Sequence, residues 1–256
     1  MSIFCSRERW HILLRAIGKR LAAFQKDGLA LEKKLVYLSE HRGSSIRLAL
    51  YFSQVTEDDC RAIGQSIYEL LAENPSPAWA GGMPTRSFFM DFPTDQVKYN
   101  LFDERCILPP GLEHLQRLLS SILCEFFEDH PVDDEGIFTL LNYLQREILE
   151  HAFDTPGERM KFCSHIINEL STADSDIPEG KPARGAFRQP AAFQESAADD
   201  VFDLLARFGE AGAALCRSDA DAVKAYLTLL HLIQLHLFKI PRQEFLASLH
   251  ELPVFF

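Results

Sequence analysis

Arg47 is the side chain with the clearest opportunity for chemistry. In residues 43–52, GSSIRLALYF, the apolar Ile46, Leu48, Leu50 and Phe52 alternate with Ser45, Arg47, Ala49 and Tyr51, so the second set shares one face of a strand. A guanidinium on a rigid strand binds a carboxylate through two parallel hydrogen bonds. The same pattern also suits a solvated strand residue or a surface ion pair. Two histidines near the other end of the chain, His231 and His236 in LHLIQLHLFKI, could move a proton near neutral pH. Their five-residue spacing turns them roughly 140° apart on a helix, which does not suit one shared metal ion and leaves a core histidine with a satisfied hydrogen bond as the plainer role for either. A third stretch, FPTDQVKYN at 92–100, gathers Asp95, Lys98 and Tyr99.

Other chemical motifs are absent or poor. Asp174, Asp176 and Gly180 lack the further acidic ligands of a calcium loop. There is no Gly-rich dinucleotide turn, no phosphate-binding P-loop and no nucleophile elbow. Asp133, Asp134 and Glu135 read as a helix-capping cluster. Six scattered cysteines without a Cys-x-x-Cys pair argue against a zinc site or disulfide framework and for reduced thiols. No metal and no cofactor is implied.

The elements that must position Arg47 follow from periodicity. Trp10, Leu13, Leu14, Ile17, Leu21 and Phe24 mark a helix over 7–26 that closes near Gly28. A hairpin follows, its strands meeting at a turn through residues 41–44. Thr56 is the expected N-cap of a second helix carrying Ile63, Ile67, Leu70 and Leu71, and short strands are expected at 86–92 and 97–102. Beyond Pro110 only helical periodicity is found, at 111–128, 135–152, 156–170, 199–217, 220–239 and 242–250. The expected fold is α+β: a small, mostly antiparallel sheet from the N-terminal half packed with a helix-rich C-terminal half, as one domain over 1–256. The Gly-, Pro- and Asp-rich composition of 171–198 predicts a mobile loop.

Composition narrows the function classes. A chain of 256 residues with 47% hydrophobic and 25% charged residues has the make-up of a globular protein. The net charge of −11 opposes binding to a nucleic-acid backbone. No run approaches the ~18 apolar residues of a spanning helix, and charged residues interrupt the N-terminus too early for a secretory signal, so a cytoplasmic location without membrane contact is expected.

Three of these stretches together resemble the C-terminal region of class I lantibiotic dehydratases and the related stand-alone thiopeptide-type bacteriocin biosynthesis proteins. GSSIRLAL is similar to that family's Gly-Pro-His-Leu-Arg-Leu-Arg strand, with Gly43, Ile46, Arg47 and Leu48 matching, Ser45 in place of His and Ala49 in place of the second Arg. FPTDQVKYN is similar to Tyr-x-x-Glu-x-x-Arg-Tyr-Gly, with Tyr99 identical and Phe92, Asp95 and Lys98 as conservative replacements. LHLIQLHLFKI is similar to Ile-His-Met-x-x-Asn-Arg-x-x-Gly: His231 matches, while Leu235 and His236 replace Asn and Arg. The resemblance implies a peptide-modifying enzyme of ribosomal natural-product biosynthesis that eliminates glutamate from glutamylated Ser or Thr to leave dehydroamino acids. It implies Arg47, Lys98 and His231 as catalytic residues and Ser45, Tyr51, Asp95, Tyr99 and His236 as substrate contacts. A precursor peptide would be the substrate, and a separate tRNA-dependent dehydratase subunit the partner. Two alternatives stand beside this one: [4+2] cycloaddition of two dehydroalanines to form a thiopeptide pyridine ring, and a non-catalytic protein that binds a precursor peptide or partner.

Overall fold

The computed structural model describes residues 1–40, 43–77, 92–101, 111–128, 131–172, 198–218, 221–237, 248–249 and 252. The expected turn residues 41 and 42, the strand at 86–91, Cys106 and nearly all of the 171–198 and 242–250 segments lie outside the described residues. The chain divides into two compact units, Met1–Ile137 with Leu232–Lys239, and Phe138–His231 with Ile240–Phe256. The fold is α+β, with its strands early and its helices late.

The first unit opens with β1 (Ser2–Phe4), a single 3-10 turn at Arg7–Arg9, and α1 (Trp10–Lys26). The apolar stripe expected of α1 is buried at Trp10, Leu13, Leu14, Ile17 and Leu21. Its end is a Schellman motif: Gly28 adopts φ +101°, its N–H donates to Gln25 O at 3.2 Å, and the Leu29 N–H donates to Phe24 O at 3.0 Å. The hairpin follows as β2 (Leu31–Ser39) and β3 (Ser45–Phe52), then α2 (Glu57–Glu73) and β4 (Gln96–Lys98). Thr56 caps α2 as expected, in a reciprocal capping box with Asp59.

These strands form one antiparallel sheet in the order β2-β3-β1-β4. Since β3 is antiparallel to both β1 and β2, the latter two run parallel with β3 inserted between them. Together with the crossing helices, this is the split β-α-β topology of ferredoxin-like folds. The β1 strand was not expected from sequence, because three residues are too few to show alternation. The expected strand at 97–102 is observed as the shorter β4.

One face of the sheet carries Ile3, Val36, Leu38, Ile46, Leu48 and Val97, none more than 4% exposed. Within this unit α1 packs on α2, and α2 packs on β4, where the Tyr68 hydroxyl donates to Val97 O at 3.3 Å. The next helix, α3 (Glu113–Phe126), packs on the edge strand β2. An edge strand buried without partners would leave its backbone groups unsatisfied. Here the Val36 N–H donates to Ser120 Oγ on α3 at 3.0 Å. Ser120→Ala is therefore expected to lower stability by about 1–2 kcal/mol, since the buried Val36 N–H loses its acceptor. An unchanged denaturation midpoint for that variant would show that water or another group replaces the hydroxyl.

The helix α4 (Asp134–Ala152) begins in the first unit and continues in the second. Asp133 Oδ1 caps it by accepting from Gly136 N at 2.7 Å, and Asp134 pairs with Arg7 at 2.6 Å, so the acidic cluster at this helix start is structural as expected. The second unit contains α5 (Pro156–Thr172), α6 (Ala198–Ser218) and most of α7 (Ala222–His236). Its core includes a polar chain: the Tyr226 hydroxyl donates to Gln145 Oε1 at 3.2 Å, Gln145 Nε2 donates to Ser248 Oγ at 3.0 Å, and the Ser248 hydroxyl donates to Asn142 Oδ1. Burial pushes the Tyr226 phenol well above its ordinary range, so it stays a neutral donor. No helix among the described residues is long and apolar enough to cross a membrane.

Candidate functional site

Antiparallel register places directly opposed residues on the same face. Arg47 is opposed by Tyr37 on β2 and by Ser2 on β1, and Ser2 is opposed in turn by Lys98 on β4. One row across the sheet therefore reads Tyr37, Arg47, Ser2, Lys98. The row beside it reads Ser39, Ser45, Phe4, Gln96 and points the same way. This face is opposite the apolar one, and it mixes polar with apolar side chains, much of it out of water: Ser2, Phe4, Leu35, Tyr37, Ser39 and Ser45 are all buried.

Arg47 itself is half-buried, and burial lowers its guanidinium pKa from the ordinary value without bringing deprotonation near neutral pH. A cation partly withdrawn from water attracts an anion more strongly than one fully solvated. Lys98, also half-buried, stands two strands away, roughly 10 Å between Cα atoms. Its ammonium lies 5.9 Å from the centre of the Phe92 ring, which in turn packs on Phe4 at 4.8 Å. Small Ser2 lies between the two cations. Two cations flanking a hydroxyl on one rigid sheet suit a ligand with one or two carboxylates.

The other expected site residues are distributed differently. Ser45 and Tyr51 share the Arg47 face. Ser45 donates to Ser39 O at 3.4 Å, and the Tyr51 ring carries the Lys33 ammonium 4.6 Å above its centre. Asp95 takes up a φ of +60°, and its carboxylate accepts from Ser76: Oγ at 2.7 Å and the backbone N–H at 3.0 and 3.1 Å. That clamps the loop before β4 instead of presenting a free carboxylate. Tyr99 is exposed and lies against α2, its hydroxyl 2.5 Å from where a Cβ on Gly64 would stand, on the side of the sheet away from Arg47. His231 is exposed on α7 in the second unit.

His236 was expected to contact substrate, yet its ring is fully buried at the last residue of α7. Its Nδ1–H donates to Val36 O at 2.7 Å, and its ring packs on Tyr37 with centroids 4.2 Å apart. Burial lowers the imidazole pKa to about 3, with the Val36 hydrogen bond opposing only part of that fall. It is the satisfied core histidine of the plainer alternative, neutral at physiological pH.

Among the described residues no three His, Cys, Asp or Glu side chains come together to hold a metal ion. Among the described residues Cys5, Cys60, Cys124 and Cys163 are free thiols. Burial pushes Cys5 up to about 12 and Cys163 up to about 11, which keeps both protonated and unreactive. The sequence did not single out Ser2 or Tyr37, because their place beside Arg47 is set by strand pairing across 45 and 10 residues of chain, as the Ser2–Arg47 and Tyr37–Arg47 registers show. No protein-family model matches the chain, and no curated protein matches it.

Proposed function

We propose that this protein is a peptide-modifying enzyme that binds a glutamylated Ser or Thr of a ribosomally made peptide and eliminates glutamate from it. The observation that supports this reading is the row in which Arg47 and Lys98 flank Ser2 on one sheet face. In the reaction a base removes the Cα proton, the Cα–Cβ double bond forms, the Cβ–O bond breaks, and glutamate leaves as its carboxylate. Cations near the departing group lower the barrier by stabilising the negative charge that develops there. Arg47 and Lys98 take that role.

Ala49 favours a second reading. It is the next residue after Arg47 on the same face, where the resembled elimination enzymes carry another arginine. Pyridine-forming cycloaddition of two dehydroalanines needs no paired glutamate clamp, and the same face could serve it.

One experiment separates these readings: incubation with a glutamylated precursor peptide, followed by mass spectrometry. Elimination appears as loss of glutamate, cycloaddition as ring formation with release of the leader peptide, and a binding-only role as retention without a mass change. Arg47→Met and Lys98→Met are each expected to slow glutamate loss about tenfold or more, the scale of one lost charge-assisted contact. Undiminished rates in both variants would remove the cation row from the mechanism.

A further inference from the structure

We infer that His236 and Tyr37 form a buttress that sets the position of Arg47, making His236 a positioning residue of the anion site. This rests on the anion-binding role given to Arg47 above.

The edge strand explains why position 236 carries a histidine. Leu48 exchanges hydrogen bonds with Met1, at 2.9 Å through its N–H and 2.7 Å through its carbonyl, so its backbone groups point away from β2. Its partner Val36 accordingly turns its own N–H and C=O outward, to the free edge of the sheet. Ser120 accepts from the N–H, and His236 donates to the carbonyl. One residue further on, Leu237 bridges Leu38 in parallel fashion, so the end of α7 continues along the outside of β2.

The same imidazole carries the Tyr37 ring, with the two planes 30° apart. Tyr37 is only 2% exposed and stands directly across from Arg47, with Cβ atoms about 5 Å apart in such a pair. The Arg47 side chain therefore leaves the sheet beside a ring that cannot yield without displacing His236. Two requirements meet at position 236: a donor for Val36 O and a flat surface for Tyr37. Phenylalanine would supply only the surface and asparagine only the donor. Histidine supplies both, although its buried Nε2 has no hydrogen-bond partner among the described residues.

That division gives the test. His236→Asn keeps an N–H where Nδ1 stands but removes the ring, whereas His236→Phe keeps the ring and removes the donor. Tyr37→Leu removes the supported surface directly. Glutarate, a five-carbon diacid, serves as the probe, titrated by NMR well below each variant's unfolding transition, with the Arg47 Nε–H resonance followed in parallel.

His236→Asn and Tyr37→Leu are each expected to weaken glutarate about three- to tenfold and to move the Arg47 resonance. The double variant is expected to be no weaker than either single one, as residues acting through one contact are non-additive. His236→Phe is expected to lose stability while nearly retaining affinity, an outcome that a purely structural role would not produce. Equal glutarate affinity in all variants would overturn the buttress and leave the anion site standing. If the unaltered protein does not bind glutarate, the anion-site reading fails, and the Arg47 resonance decides the buttress alone: a shift in His236→Asn but not His236→Phe supports it, and no shift overturns it.

Discussion

Gly209→Ala is expected to destabilise the protein by about 2–3 kcal/mol, although alanine is the better helix former by roughly 1 kcal/mol. A Cβ on Gly209, within α6, would stand 2.7 Å from the carbonyl carbon, the oxygen and the Cβ of Glu147 on α4. Two of those atoms are backbone, so relief requires the helices to separate and the apolar contacts along them to loosen. The contact thus outweighs propensity and fixes the sign. Gly212, one turn on, provides a graded comparison: its Cβ would meet Ile148 Cγ1 at 3.1 Å and Leu229 Cδ1 at 3.2 Å, side-chain atoms that can rotate. Gly212→Ala is expected to cost less. Gly18 on α1 gives the opposite control, because nothing lies within 4 Å of its added Cβ. Gly18→Ala should then stabilise by about 0.5–1 kcal/mol through propensity and the reduced entropy of the unfolded chain. Denaturant unfolding of the three variants checks the order. A Gly209→Ala protein as stable as the Gly18→Ala protein would show that α6 does not approach α4 this closely.

How much of this was legible in the sequence depended on whether the signal was local. The buried stripe of α1, its Gly28 terminus and the Thr56 cap rest on residues within one or two turns of each other, and all are observed. The alternation around Arg47 is local too, and it correctly placed Ser45, Arg47, Ala49 and Tyr51 on one face. What those residues face is not local. Ser2 and Lys98 reach Arg47 only through β1, whose three residues show no period, and through a crossover that no nearby residue announces.

The two histidines show the same limit. Their spacing implied different sides of a helix, and His231 is indeed exposed while His236 is buried. Which of them faced inward was hidden, because α7 is apolar nearly all round, so no stripe marks its inner side. The resemblance drew attention to His231 by matching it to a family histidine. The geometry instead joins His236, the residue that departs from the family pattern, to the strand opposite Arg47.

The buried His236 also makes stability depend on pH, and the direction follows from proton counts. Its pKa is about 3 in the folded protein, against 6.5 for an unperturbed imidazole. Between those values the unfolded chain binds a proton that the folded protein does not, so stability rises with pH across this window. The contribution is complete above pH 6.5 and is lost as the pH falls toward 3. From pH 7 to about 4.5 one such group removes about 2.5 kcal/mol, and raising the folded pKa by a unit changes that figure little. Glu147 works against it above its ordinary 4.5, because burial and the nearby Glu150 raise its pKa and favour the folded state as it protonates. Comparing the protein with His236→Asn cancels that opposing contribution. The stability difference between the two is expected to shift by about 2–3 kcal/mol toward the variant on going from pH 7 to 4.5, a large part of the roughly 5–15 kcal/mol that holds a typical domain folded. Guanidinium unfolding at the two pH values measures it. A difference that stays constant, or a His236 imidazole resonance in the folded protein that titrates near 6.5, would show that the ring is open to water and does not cap β2 as a neutral donor.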